Sequence, residues 1–273
     1  MLTADCFYKF RLLLIMLQFV ILATACVSIS NYTNEVEIWL TADAKTRLKK
    51  MGNSGFRYAS GRAEYQIIIR DDVEFQEIRG FGAALTDSSA WLMYTQLNQT
   101  QRSRLLTALF SKPQGIGLNT IRIPIGASDF ALQPYSYDDI KAGSTDSNLE
   151  HFSIQHDAAY IIPLIKEIQS INPFLMVIAS PWSAPAWMKT SGRLNGGSLN
   201  PKHYQTYVSY LIKFIHAYQK HGIPIHAITL QNEPNYQTND YPSMLMTASE
   251  HINLLKILGP AFEKQKIDSK IFV

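Results

Sequence analysis

Four times between residues 75 and 265, a short apolar run with strand character gives way to a polar loop and then to a longer stretch of helical period. The runs lie at 75–78, 119–125, 174–180 and 223–231, and the spacing predicts helices over 88–97 and 99–109, then 156–170, 202–221 and 248–265. Strands that alternate with helices pair in parallel, because a parallel connection needs a crossover long enough to return the chain to the same end of the sheet. Residues 270–273 read as the start of a fifth strand. The expected fold class is therefore α/β of the (β/α)8 TIM-barrel family, with about the first half of the barrel spelled out between residues 75 and 273. Two earlier runs, 35–41 and 65–70, read as strands of a small β-lobe, separated by a polar, glycine-containing loop over 49–61. Together with a linker they make an amino-terminal segment of residues 26–74.

With 47% apolar and 17% charged residues, the 273-residue chain can bury a sizeable core. The net charge of +3 is scattered along the chain, without the Lys/Arg run that tracks phosphates, so no nucleic-acid partner is expected. Lys9 and Arg11 precede an apolar stretch from Leu12 to Ala23, and Ala23-Thr24-Ala25 follows with small residues. That order is the signature of a secretory signal over residues 1–25. The stretch is shorter than the roughly 20 residues that a bilayer span needs. Export to the periplasm or the cell exterior is the expectation. The two cysteines, Cys6 and Cys26, both lie in or at the edge of this leader, so no disulfide is expected in the processed chain. Cys26 after a small residue also fits a lipid attachment point, which would hold the protein at a membrane surface. Asn31-Tyr32-Thr33 and Asn98-Gln99-Thr100 match the N-glycosylation pattern. Nothing in the sequence sets an oligomeric state.

Each strand of the main series ends in residues suited to chemistry. After the first comes Gly80-Phe81-Gly82-Ala83-Ala84-Leu85-Thr86-Asp87, and the second runs Arg122-Ile123-Pro124-Ile125-Gly126-Ala127-Ser128-Asp129. The third leads into Ser180-Pro181-Trp182 and the fourth into Gln231-Asn232-Glu233-Pro234. The carboxyl ends of parallel strands share one face, and sites on such sheets are built there. A sugar site needs carboxylates and amides for hydroxyls, an aromatic face for the ring, and an acid at the glycosidic oxygen. Asp129, Asn232, Trp182 and Glu233 supply that set, with Glu233 as general acid, expected to be partly buried so that it keeps its proton. Asn232 would hold a sugar hydroxyl. Arg122 is either a site residue or the partner of a structural ion pair, and Asp87 is expected to cap the helix after it. Trp187 is expected in the core. No metal spacing, G-x-S-x-G elbow or phosphate loop is present, so no metal or cofactor is expected.

The segments "GFGAALTD", "IRIPIGASDF", "ASPWSAPAWMKT", "NGGSL" and "TLQNEP", in this order, resemble glycoside hydrolase family 30, the glucosylceramidase family. The resemblance implies a TIM barrel with a β-sandwich lobe and a retaining mechanism using two glutamates. It implies Glu233 as acid/base and Asn232 as the sugar-binding residue before it. It further implies Asp129 as a hydroxyl ligand, Trp182 as a ring contact and Arg122 as the arginine beside the nucleophile. The nucleophile belongs on a seventh strand, which these residues do not reach, so Glu233 alone is expected to be unable to support a covalent intermediate. The implied substrate is a β-glucoside or glycolipid such as glucosylceramide. A β-1,6-glucanase-like polysaccharide hydrolase and a non-catalytic glycan-binding fragment stand as alternatives.

Overall fold

A computed structural model describes residues 35–43, 45–55, 61 and 64–273. The expected leader, Cys26 and the sequon at Asn31 lie outside the described residues. The chain divides after Phe75 into two units.

The first unit contains four two-residue strands, β1 (Glu35–Val36), β2 (Trp39–Leu40), β3 (Lys49–Lys50) and β4 (Ser54–Gly55). β1 pairs antiparallel with β4, and β2 with β3, Trp39 lying opposite Lys50. The stretch 49–61, expected as loop, thus supplies two strands. Lys50 explains part of this pairing, since its ammonium reaches the Glu37 carboxylate and lies over the Trp39 ring at 5.7 Å. The strand expected over 65–70 joins no ladder among the described residues, and Ile67, Ile68 and Ile69 are exposed. β-Branched side chains favour an extended chain, but a strand also needs an edge to pair with.

The second unit, Gln76–Val273, is built on one parallel sheet in the order β5 (Gly82–Ala84), β6 (Thr120–Ile125), β7 (Met176–Pro181), β8 (Ala227–Thr229) and β9 (Lys270–Phe272). Sequential neighbours pair throughout, with Arg122 opposite Ile178 and Ala179 opposite Ile228. This is the arrangement of a partial (β/α) barrel. The first strand begins later than its apolar run, because Phe75 and Ile78 are exposed and pairing starts only at Gly82. A side chain at Gly82 would put its Cβ 1.9 Å from the Thr120 carbonyl oxygen, so the close approach of β5 to β6 requires glycine there. β8 is shorter than the apolar run 223–231, which contains Pro224, a residue with no N–H to give to a ladder.

Helices α1 (Asp87–Trp91), α2 (Gln99–Phe110), α3 (Gln155–Ala158), α4 (Ile161–Ile171), α5 (Tyr204–Lys220) and α6 (Ala248–Gln265) fall between the strands. The helix expected over 88–97 is α1 continued by a π-helical segment, Leu92–Gln96. Their ends are set by side chains. Asn98 and Gln101 form a capping box on α2, Thr247 and Glu250 form one on α6, and Lys266 closes α6 in the left-handed region at φ 54°. α4 buries Ile161, Leu164, Ile165 and Ile168, a helical stripe. α5 buries Tyr207, Tyr210, Leu211, Phe214 and Tyr218 in the same way. These stripes join Ile121, Ile123, Val177, Ala179 and Ile228 in one core, each large side chain contributing about 1.5–3 kcal/mol on burial.

Inside this helical layer sits the buried carboxyl of Asp157. Asp157 on α3 accepts hydrogen bonds from the hydroxyls of Tyr137 (2.6 Å), Tyr218 (2.5 Å) and Tyr135 (3.3 Å). Burial raises its pKa to about 6, against the lowering effect of the tyrosine hydroxyls and His156. On the other face of the sheet, Thr120, Met176, Ile178, Ala227 and Phe272 line an open cavity of ≈ 510 Å³.

Candidate active site

The carboxyl ends of β6, β7 and β8 bring four of the five expected site residues into direct contact. Arg122 is the third residue of β6 and donates from Nη2 to Asn232 Oδ1 at 2.7 Å. Its guanidinium also lies over the Trp182 ring, 4.7 Å from the centroid. Asn232 in turn donates from Nδ2 to Glu233 Oε2 at 3.3 Å. An arginine on one strand thus orients the amide that touches the acid, with a tryptophan beneath it. Arg122 takes part in no ion pair among the described residues, and its partners are this amide and this ring. Burial lowers the Arg122 pKa, while the charges of Asp129 and Glu233 act to raise it.

The backbone that carries the acid is specific. Asn232 N–H donates to the Pro181 carbonyl at 2.8 Å, so the end of β8 is tied to the end of β7. Glu233 then takes a left-handed conformation at φ 47°, which is uncommon outside glycine and lifts the side chain out of the sheet direction. Tyr236 N–H closes the turn onto the Glu233 carbonyl at 2.9 Å. The partial burial expected for Glu233 is absent, for its side chain is exposed on this turn. Asp129, on the loop after β6, is also exposed and bonds to none of the other four, although its charge reaches Arg122.

Three further residues support the site. Gln231, buried, donates from Nε2 to the carbonyls of Trp182 (2.8 Å) and Asn232 (2.9 Å), holding those two segments together. The Tyr241 hydroxyl is raised in pKa by burial first, then by Tyr236 and by the charges of Glu233 and Asp129. Lys189 is buried and donates to Ser183 Oγ (2.8 Å), the Leu194 carbonyl (2.5 Å) and the Ser243 carbonyl (2.7 Å). It joins the loop that carries Trp182 to the loop that carries Glu233. Burial, with the charge of Arg193, lowers its pKa to about 7. Nothing in the sequence separates Lys189 or Tyr241 from the surrounding loops.

One supporting expectation is corrected. The cap of α1 is Thr86, whose Oγ1 accepts from Ser89 N–H, not Asp87. Asp87 is buried and accepts from His156 Nε2 (2.7 Å), Leu132 N–H (2.8 Å) and the Tyr160 hydroxyl. Burial raises its pKa, but these hydrogen bonds and the His156 charge outweigh it, and the net direction is down. Trp187 packs half-buried against the hydrophobic core, as expected. Its ring meets His203 edge-on and its Nε1 donates to Asp138 Oδ2 at 2.8 Å. Asp138 is fully buried, its other carboxyl oxygen has no partner among the described residues, and burial lifts its pKa to about 6.

Polar side chains converging at the ends of successive parallel strands, around a glutamate delivered by asparagine, define a (β/α)-barrel site of the sugar-handling kind. Residues 78–273 match the glycosyl hydrolase family 30 TIM-barrel domain, and the chain belongs to that family. It is 34% identical over 235 residues to putative glucosylceramidase 4 of Caenorhabditis elegans, covering 82% of this chain and 44% of the relative. It is 36% identical over 203 residues to the endo-1,6-beta-D-glucanase of Neurospora crassa, covering 72% of this chain and 42% of the relative. Among solved structures, the endo-beta1,6-glucanase BT3312 superposes with a TM-score of 0.69 at 37% identity, over 74% of this chain and 45% of that one. The chain spans less than half the length of each of these relatives.

Proposed function

We propose that the protein carrying this segment is a retaining β-glycosidase that cleaves a β-glucosidic bond, with Glu233 as the acid/base. The observation that carries this reading is the run of contacts from Arg122 through Asn232 to Glu233 beside the Trp182 ring. In it, Asn232 is held with its amide toward the acid, Trp182, buried at 8% exposure, packs its ring against the Arg122 guanidinium, and Glu233 is exposed to a glycosidic oxygen. Asp129 would bind a hydroxyl of the same ring. The second carboxylate that retention requires is assigned to none of the described residues. Relatives named for glucosylceramide and for 1,6-β-glucan both support a β-glucosyl group, and they differ in what it is attached to. The leader read over residues 1–25 adds export to this reading, with Cys26 as a point for lipid attachment.

The test separates acid catalysis from binding. Glu233→Gln should lower kcat by about 10²–10⁴-fold on an alkyl β-glucoside, whose leaving group must be protonated. On a dinitrophenyl β-glucoside, whose leaving group departs without a proton, glycosylation should be nearly unchanged. Equal losses on both substrates would remove Glu233 from the acid role, and a product of inverted anomeric configuration would remove the retaining mechanism.

A further inference from the structure

The loop after β7 and the loop after β8, the latter carrying Glu233, form a polar recess of ≈ 360 Å³. We propose that it is a binding subsite for the hydroxyl groups of a glycan chain, extending the sugar site that Glu233 serves. This rests on the glycosidase reading of Glu233 and names the kind of group that continues beyond its sugar.

The recess is built before any ligand arrives. Gly196 and Gly197 turn the backbone through the left-handed region at φ 64° and 76°. At Gly197 a Cβ would fall 2.7 Å from Ser191 Cβ, so only glycine permits this turn. Gln237 Oε1 accepts from Gly197 N–H at 2.9 Å, and Asn195 Nδ2 donates to the Asn239 carbonyl at 2.7 Å. Below, Lys189 ties both loops together through the carbonyls of Leu194 and Ser243. A fixed recess of this kind loses little freedom when it binds.

The groups left over decide the ligand. Each structural bond uses one end of an amide and leaves the other end free: Asn195 keeps Oδ1 as acceptor and Gln237 keeps Nε2 as donor. The Arg193 guanidinium and the Asn239 side-chain amide line the same space and make no hydrogen bond or ion pair among the described residues. A mixture of donors and acceptors matches a hydroxyl, which both gives and takes a hydrogen bond. A metal ion would find no carboxylate in the lining. A lipid tail would find no large apolar side chain there. Gln237 follows Glu233 so closely that at most about 14 Å of extended chain can separate their backbones, and the turn at Tyr236 shortens that path. A short oligosaccharide with one ring at Glu233 reaches the recess.

The experiment is an NMR titration of the 273-residue protein with two probes, a 1,6-linked β-glucose tetrasaccharide and octyl β-glucoside. The tetrasaccharide should bind about tenfold more tightly, the worth of one to two net hydrogen bonds, and should shift the amide signals of Gly196 and Gly197. The double variant Arg193→Ala, Asn239→Ala removes only side chains without structural bonds. It should erase that tenfold advantage and leave octyl β-glucoside binding unchanged. A tetrasaccharide with no advantage, or an advantage that survives the double variant, overturns the recess and leaves the glycosidase reading standing. Failure of both probes to bind overturns both.

Discussion

On β6 and β7, Ile121, Ile123, Val177 and Ala179 are 2% exposed or less against the helices, while Thr120, Arg122, Met176 and Ile178 at the alternate positions are only half-buried. The same two strands thus carry a sealed face and an open one, as the period of two in a strand dictates. The sealed face supplies cohesion. The open face can accommodate a charge such as Arg122 because part of it stays in reach of water and of Asn232. Stability and chemistry are thereby separated by a single step along the chain.

Substitutions on the two faces should separate just as sharply. Val177→Asp places an unpaired carboxylate in the sealed layer and should cost more than about 4 kcal/mol, enough to abolish the cooperative unfolding transition. Leu164→Ala, on the helix that covers that face, should lower the urea-unfolding free energy by about 2–5 kcal/mol through the cavity it leaves.

The next effect depends on pH. Asp157 has a folded pKa of about 6 against an ordinary value of 3.8, so the folded state holds this proton more tightly than the unfolded chain. Its contribution is greatest below 3.8 and is lost as pH rises to about 6. Relative to Asp157→Asn, the wild type should lose on the order of 3 kcal/mol across that window. Asp138 is displaced in the same direction, and taking the difference between the two proteins removes its share. A difference curve that is flat between pH 4 and 6 would show that the sealed layer tolerates the Asp157 charge.

Smallest of all, Ile178→Asn on the open face should change stability by no more than about 1 kcal/mol, since a half-exposed side chain loses little transfer free energy. A loss as large as that of Leu164→Ala would break the contrast between the faces, and would mean that the open cavity is part of the cohesive core.

Much of this was legible in the residues, for reasons that differ by element. α6 was read over its full extent because Thr247 and Glu250 mark its start and its apolar residues keep one period. The four contacting site residues were legible because Arg122 lies within, and Trp182, Asn232 and Glu233 follow, apolar runs that do form strands. The amino-terminal strands were not, since apolar, β-branched sequence reports a preference for extension and not the presence of a partner edge. Ile67, Ile68 and Ile69 have the first without the second. Tyr241 and Lys189 escaped for another reason: their roles depend on two loops meeting, which no local pattern records. The exposure of Glu233 follows from its left-handed turn, a backbone state that a glutamate does not advertise.

The bond from Arg122 to Asn232 closes a span of 110 residues and reaches from β6 past β7 to the end of β8. It can form only when all three strands are paired in order, with Ala179 beside Ile228. The contacts from Arg122 through Asn232 to Glu233 therefore belong to the correctly paired sheet alone.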